Sequence, residues 1–144
     1  MAVKYLIDTN VIVYAHDRSE PGKQQKAFEV MERLYTLGSA ALTTQILAEF
    51  FTIVTRKLSN PLTIEESTRQ VELLARVWPV FDVTIFTVIE AIRGVQAHQI
   101  NYWDSQIWAS ALLNQIPIIL SEDFSSGRVI EGVRFINPFI QDIE

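Results

Sequence analysis

The chain contains no cysteine. That excludes disulfides, zinc held by thiolates and a cysteine nucleophile. Histidine is nearly as scarce. His16 and His98 are too few and too far apart in sequence for a histidine-rich metal centre. No apolar run approaches the roughly 20 residues that a membrane-spanning helix needs. The first residues lack the basic start, apolar stretch and small-residue cleavage site of a secretory signal, so a cytoplasmic location is expected. There is no Walker A loop, no Gly-rich dinucleotide loop and no G-x-S-x-G nucleophile elbow. The formal net charge of −5 argues against nucleic-acid binding driven by bulk counterion release. It leaves open an enzyme that meets phosphates through cations held by carboxylates, because acidic residues then concentrate where the metal sits.

What remains is an ordered globular composition, 49% hydrophobic and 20% charged over 144 residues. It predicts one domain, residues 1–144, with a proper core. Strands are predicted at 4–7, 40–43, 80–83, 118–120 and 133–136. Helices are predicted at 10–16, 23–37, 44–58, 63–77, 84–99 and 102–115. Thr9 or Asn10 is placed to cap the first helix, Gly38 to end the second, and Asn101 to cap the last. Thr63 and Glu66 form a capping box. Gly94 weakens the helix at 84–99, and Trp103, Trp108 and Tyr102 are read as core. Strands alternating with helices predict an α/β fold with a mainly parallel central sheet.

Four acidic positions stand out from this pattern. Asp8 ends the first strand. Glu49 interrupts the apolar helical run Ile46-Leu47-Ala48-Glu49-Phe50-Phe51. Asp104 lies in the first turn after Asn101. Asp123 follows the strand ending at Leu120, with Glu122 beside it. Strand ends and the first turns of following helices share one edge of a parallel sheet, where ligands of such folds bind. Glu49 joins the others if its helix starts at that edge. Mg²⁺ and Mn²⁺ prefer such oxygen ligands, and a bound metal can activate water where no histidine base is present. Singly, each acid has a plainer explanation. Asp8 could be a helix cap and Glu49 a surface residue. Asp104 could complement a helix dipole, and Glu122 and Asp123 could solvate a loop. The joint pattern carries the argument.

The succession Leu6-Ile7-Asp8-Thr9-Asn10, Glu49 in an apolar helix, Tyr102-Trp103-Asp104 and Leu120-Ser121-Glu122-Asp123-Phe124 resembles the motifs of PIN-domain ribonucleases, and among them the VapC-type toxins of toxin–antitoxin pairs. The resemblance extends over essentially the whole chain, including the tail from Gly132 to Phe139. It implies a three-layer α/β/α sandwich and Mg²⁺- or Mn²⁺-dependent endonucleolytic cleavage of RNA. Carried over by position, Asp8, Glu49, Asp104 and Asp123 are the metal-site acids, with Asp8 and Asp104 as direct ligands. Asp123 is preferred to Glu122 on the family's T/S-x-D spacing. Thr9 and Ser121 would orient the carboxylates.

An antitoxin protein and a homodimer are the partners implied, besides the RNA substrate. The antitoxin is expected in an apolar groove between helices 23–37 and 44–58. Lys23, Lys26, Arg56, Lys57 and Arg128 are candidates for guiding the RNA backbone. Two other classes stay open. A phosphatase of the haloacid dehalogenase kind also begins strand–Asp but needs a second Asp where this chain has Asn10. A non-catalytic module would bind a partner through its helices, and would not need all four acidic positions filled.

Overall fold

Three short apolar runs supply the centre of the sheet because every side chain on them is buried or nearly so. In the computed structural model, which describes residues 2–143, these are β1 (Tyr5–Ile7), β2 (Ala40–Thr43) and β4 (Ile118–Leu120). Strands buried on both faces belong to a sheet covered by helices on both sides. The six strands run in the order β3-β2-β1-β4-β6-β5, with β3 at Val80–Phe81, β5 at Val129–Ile130 and β6 at Val133–Ile136. All pair in parallel except β5, which runs antiparallel to β6. Six helices flank the sheet in a three-layer α/β/α sandwich: α1 (Thr9–Tyr14), α2 (Pro21–Leu37), α3 (Thr44–Arg56), α4 (Ile64–Val77), α5 (Ile85–His98) and α6 (Tyr102–Leu113). The fold class is the one the sequence predicts.

Local chemistry sets the helix ends. Gly38 takes φ 65° and returns its N–H to the Leu34 and Tyr35 carbonyls, a left-handed stop that suits glycine. Thr63 and Glu66 close the capping box at the start of α4. The first helix departs from expectation: its cap is Asp8, whose side chain accepts from the Thr9 N–H at 2.8 Å, and not Thr9 or Asn10. The cap therefore coincides with the end of β1. The expected strand at 80–83 shortens to two residues, and β5 was not anticipated.

Two other expectations need correction. Trp108 is fully buried, but Trp103, five residues earlier on the same helix, is 61% exposed and belongs to the surface. Gly94 is a contact, not a weak point. An added Cβ would meet the Ser105 hydroxyl and stand 2.7 and 2.9 Å from ring atoms of Trp108. The bare backbone of α5 lets α6 approach. Gly94→Ala, normally favourable in a helix, should here destabilise the protein by about 1–3 kcal/mol through overpacking. Urea unfolding would check this, and an equal or higher midpoint would show that the helices can separate freely.

Strand order positions the site. The chain leaves β1 for β2 and β3 on one side, then returns to β4 on the other. The carboxyl ends of β1 and β4 thus flank a topological switch point, the place where open α/β sheets leave a crevice. Between helices 23–37 and 44–58, where the antitoxin groove is expected, α1 packs against both α2 and α3. A separate apolar groove lined by Leu47, Phe51 and Val71 lies between α3 and α4.

Candidate functional site

A cavity of about 350 Å³ opens at this switch point, and Asp8, Glu49, Asp104 and Asp123 all line it. Each arrives by a different route. Asp8 follows β1, and its backbone N–H is tied to the Leu120 carbonyl of β4 at 2.9 Å. Glu49 sits in the second turn of α3, which Thr43 caps directly after β2. Asp104 is in the first turn of α6, where its N–H bonds the Asn101 cap at 3.0 Å. Asp123 follows β4 and lies against Ser121, whose hydroxyl accepts from its N–H at 3.0 Å.

Hydrogen bonds orient these acids. Ser121 donates its hydroxyl to Asp8 Oδ2 at 2.7 Å. Thr9 donates to Glu49 Oε1 at 2.8 Å. Asn10 donates through Nδ2 to Ser121 Oγ at 3.2 Å and to Asp8 Oδ2 at 3.5 Å, while its Oδ1 accepts from the Glu122 N–H. Gln45 donates to Glu49 Oε2 at 3.4 Å and to the Trp103 carbonyl at 3.1 Å, and accepts from Gln106 at 2.9 Å. Thr9 and Ser121 have the orienting contacts expected of them. Asn10 and Gln45 were missed. Their amides act on partners that are remote in sequence, and nothing local marks them.

Charge is the notable property of the cavity. Asp8 is 5% exposed. Burial pushes its carboxyl up to about 7, against the pull of its bonds to Ser121 and Thr9, and the charges of Asp123 and Glu49 push the same way. Burial likewise raises Asp104, its bond from Asn101 opposing and the Asp123 charge adding. Among the described residues, no three acidic or histidine side chains stand close enough to ligate one cation as they lie. The acids face one space but are held apart.

Glu122 does not join them. Its carboxylate accepts from Tyr14 at 2.5 Å and from Lys23 at 2.8 Å. Burial opposes its ionisation, but those two bonds prevail and hold its carboxyl below the usual range. Of the basic candidates, Lys57 lines the cavity, Lys23 is spent on Glu122, and Lys26 pairs with Asp142. His16 packs edge-on against Phe50, and His98 bonds Glu131.

The family model for the PIN domain matches residues 5–129. A comparison with curated protein sequences finds no match. Solved structures share the fold at low identity. A toxin–antitoxin complex from Klebsiella pneumoniae is 14% identical, with a TM-score of 0.68, covering 94% of this chain and 98% of that one. VapBC2 from Rickettsia felis, bound to a DNA fragment from its promoter, is 17% identical with a TM-score of 0.64, covering 94% and 97%. VapC20 from Mycobacterium tuberculosis, described as a sarcin–ricin loop cleaving toxin, is 14% identical with a TM-score of 0.64, covering 83% and 90%.

Proposed function

Because this chain belongs to the PIN domain family, shown by the match over residues 5–129, we propose that it is a divalent-metal-dependent endoribonuclease and the toxin of a toxin–antitoxin pair. The observation that carries the reading is the buried Asp8 carboxyl sharing one cavity with Glu49, Asp104 and Asp123. A carboxyl pushed up to about 7 by burial and by like charges is costly to ionise in the bare protein. Its ionised form is favoured by a hard cation, and a set of carboxylate and hydroxyl oxygens suits Mg²⁺ or Mn²⁺. In the chemistry of their donor atoms, the residues present therefore fit the metal. Asp8 and Asp104 would hold it directly, and Glu49 and Asp123 would complete the set. When bound, the cation supplies an activated water and charge neutralisation at a phosphodiester.

The protein's own groups do the positioning. Ser121 and the Thr9 N–H fix the Asp8 carboxylate, and Thr9 and Gln45 fix Glu49. Asn101 donates to Asp104 Oδ2 at 2.5 Å and turns it to the cavity wall. Lys57 offers a cation at the rim, where a backbone phosphate would approach. The solved neighbours described as toxin–antitoxin complexes support a small antitoxin partner, and the toxin described as cutting the sarcin–ricin loop supports an RNA substrate. A homodimer and a cytoplasmic site of action belong to the same reading. Among the described residues, no helix is long and apolar enough to cross a membrane.

The direct test is cleavage of a mixed structured RNA by purified protein. Cutting should require Mg²⁺ or Mn²⁺ and stop in EDTA. Cutting that persists after the metal is removed would exclude this mechanism. The two neighbouring acids give a sharper comparison. Asp123→Asn should slow cleavage on the order of a hundredfold or more. Glu122→Gln, on a carboxylate already committed to Lys23 and Tyr14, should stay within about tenfold of the parent rate. The reverse order, read from initial rates, would make Glu122 the fourth acid.

A further inference from the structure

Beside the acidic cavity lies a second hollow, of about 450 Å³, whose wall includes Thr44, Gln45, Ala48, Val83 and Trp103. Glu49 and Trp103 line both hollows, so the two adjoin. Trp103 is directly followed in the chain by Asp104. Its indole is 61% exposed, whereas Trp78 and Trp108 are buried at 7% and 0%. An indole left this open is unusual, since burying such a ring is strongly favourable.

The segment that carries the ring is also held in place. Gln45 clamps the Trp103 carbonyl, Gln106 clamps Gln45, and Tyr102, whose hydroxyl donates to Gln106 at 2.6 Å, stands edge-on to the indole at 5.0 Å between centroids. Gln45 reaches Glu49 from the same amide that reaches Trp103. The glutamine chain therefore fixes the backbone at Trp103 relative to one of the acids, and Tyr102 flanks the indole that it carries.

From these observations we propose that the Trp103 hollow is a nucleobase-stacking subsite, which seats a base flanking the phosphodiester at the acidic cavity. This deepens the ribonuclease reading and rests on it. An exposed indole beside a site for a phosphate backbone matches how single-stranded nucleic acid is gripped, with bases stacked on aromatic rings while the backbone follows charge. Most side-chain polar atoms of the wall are already engaged. Gln45 and Gln106 bond each other, and Thr44 Oγ1 accepts from the Val83 N–H at 3.1 Å. The hollow therefore offers a flat apolar face with few groups left to read a base edge. It accepts any base, purines best for their larger area, and gives grip more than sequence choice.

The test uses the full chain with two probes of equal length in Mg²⁺, a single-stranded oligoadenylate and the same sugar–phosphate strand without bases. Binding is read by quenching of tryptophan fluorescence and by anisotropy of an end label, and cleavage is read as KM and kcat separately. The oligoadenylate should quench the exposed indole and the abasic strand should not. Trp103→Ala should weaken oligoadenylate binding by about 5- to 100-fold, raising KM more than it lowers kcat, and leave abasic-strand binding unchanged. Trp103→Phe should recover most of the loss.

Three results would overturn the subsite. Equal binding of oligoadenylate by the parent and Trp103→Ala is one. Equal loss of both strands is another. The third is a change of oligomeric state in Trp103→Ala on gel filtration, which would make the indole a contact between copies or with a protein partner. If the parent chain cuts RNA with metal and only the Trp103 effect is missing, the subsite fails alone. If the parent neither binds nor cuts either strand, the ribonuclease reading falls with it.

Discussion

Asp8→Asn protein should cleave RNA on the order of a thousandfold or more slowly than the parent, and yet be the more stable of the two in metal-free buffer at neutral pH. The two halves of this expectation share a cause. Asp8 is buried, and the charges of Asp123 and Glu49 face it. Its ionised form is what a cation needs and what the bare fold tolerates badly. Asparagine keeps the shape and can still accept from the Thr9 N–H, but it carries no charge. On the proposed reading the substitution removes a direct ligand, and it removes a buried repulsion with it. Cleavage assays with saturating Mn²⁺, alongside urea unfolding of both proteins in EDTA, would check this. A variant that unfolds more readily would make Asp8 a structural cap whose carboxylate the helix cannot lose. A variant that cuts at the parent rate would remove Asp8 from the chemistry.

Stability of the metal-free parent should fall as pH rises from about 4 to about 7, on the order of 4 kcal/mol from Asp8 alone. In the unfolded chain its carboxyl releases a proton near 3.8, and in the folded protein it retains one until about 7. Between those values the folded state binds the extra proton, so each rise in pH favours unfolding. Below that window Asp8 is protonated in both states and contributes no slope. Above it both states are ionised and the full penalty stands. Asp8→Asn lacks this titration, so the difference between the two stability curves isolates the residue. Parallel curves would show that the buried carboxyl is already ionised in the bare fold. Adding Mn²⁺ at pH 7 should restore stability to the parent and little to the variant.

Much of the frame behind these expectations is legible in the chain. Tyr5–Ile7 and Ile118–Leu120 are apolar runs that stop abruptly, and a run buried on both faces can only be an inner strand. Glu66 three residues after Thr63 marks a helix start without reference to anything distant. The acids are legible because topology alone brings strand ends to one edge. What could not be read depends on partners far along the sequence. Asn10 meets Ser121 across 111 positions, and Gln45 meets Gln106 across 61. An amide's role is set by its partner, and periodicity does not reveal that. Trp103 was misplaced for a related reason. Aromatic residues on an apolar helix are usually inside, and only the packing of α6 on α5 decides which of Trp103 and Trp108 faces in. Gly94 makes that choice possible by admitting Trp108. The strand β5 is two residues long and lies between turns at Gly127 and Gly132, too short for an alternation to register.

Strand order also has a consequence for synthesis. Asp8 is held by the Leu120 carbonyl and by Ser121, so the first acid of the chain is set in place by nearly the last strand. Translation adds about 5–20 residues each second, and while the first hundred emerge, β1 has β2 beside it but nothing on its other edge. A chain at that stage carries Asp8 and Glu49 but neither Asp104 nor Asp123, and its one buried acid has no hydroxyl to hold it. On the proposed ribonuclease reading, chains that end before β4 should therefore be inactive, which a cleavage assay of a product truncated after residue 117 would check. The acidic cavity is therefore complete only once β4 and the residues that follow it are in place, whatever the order in which the earlier elements form.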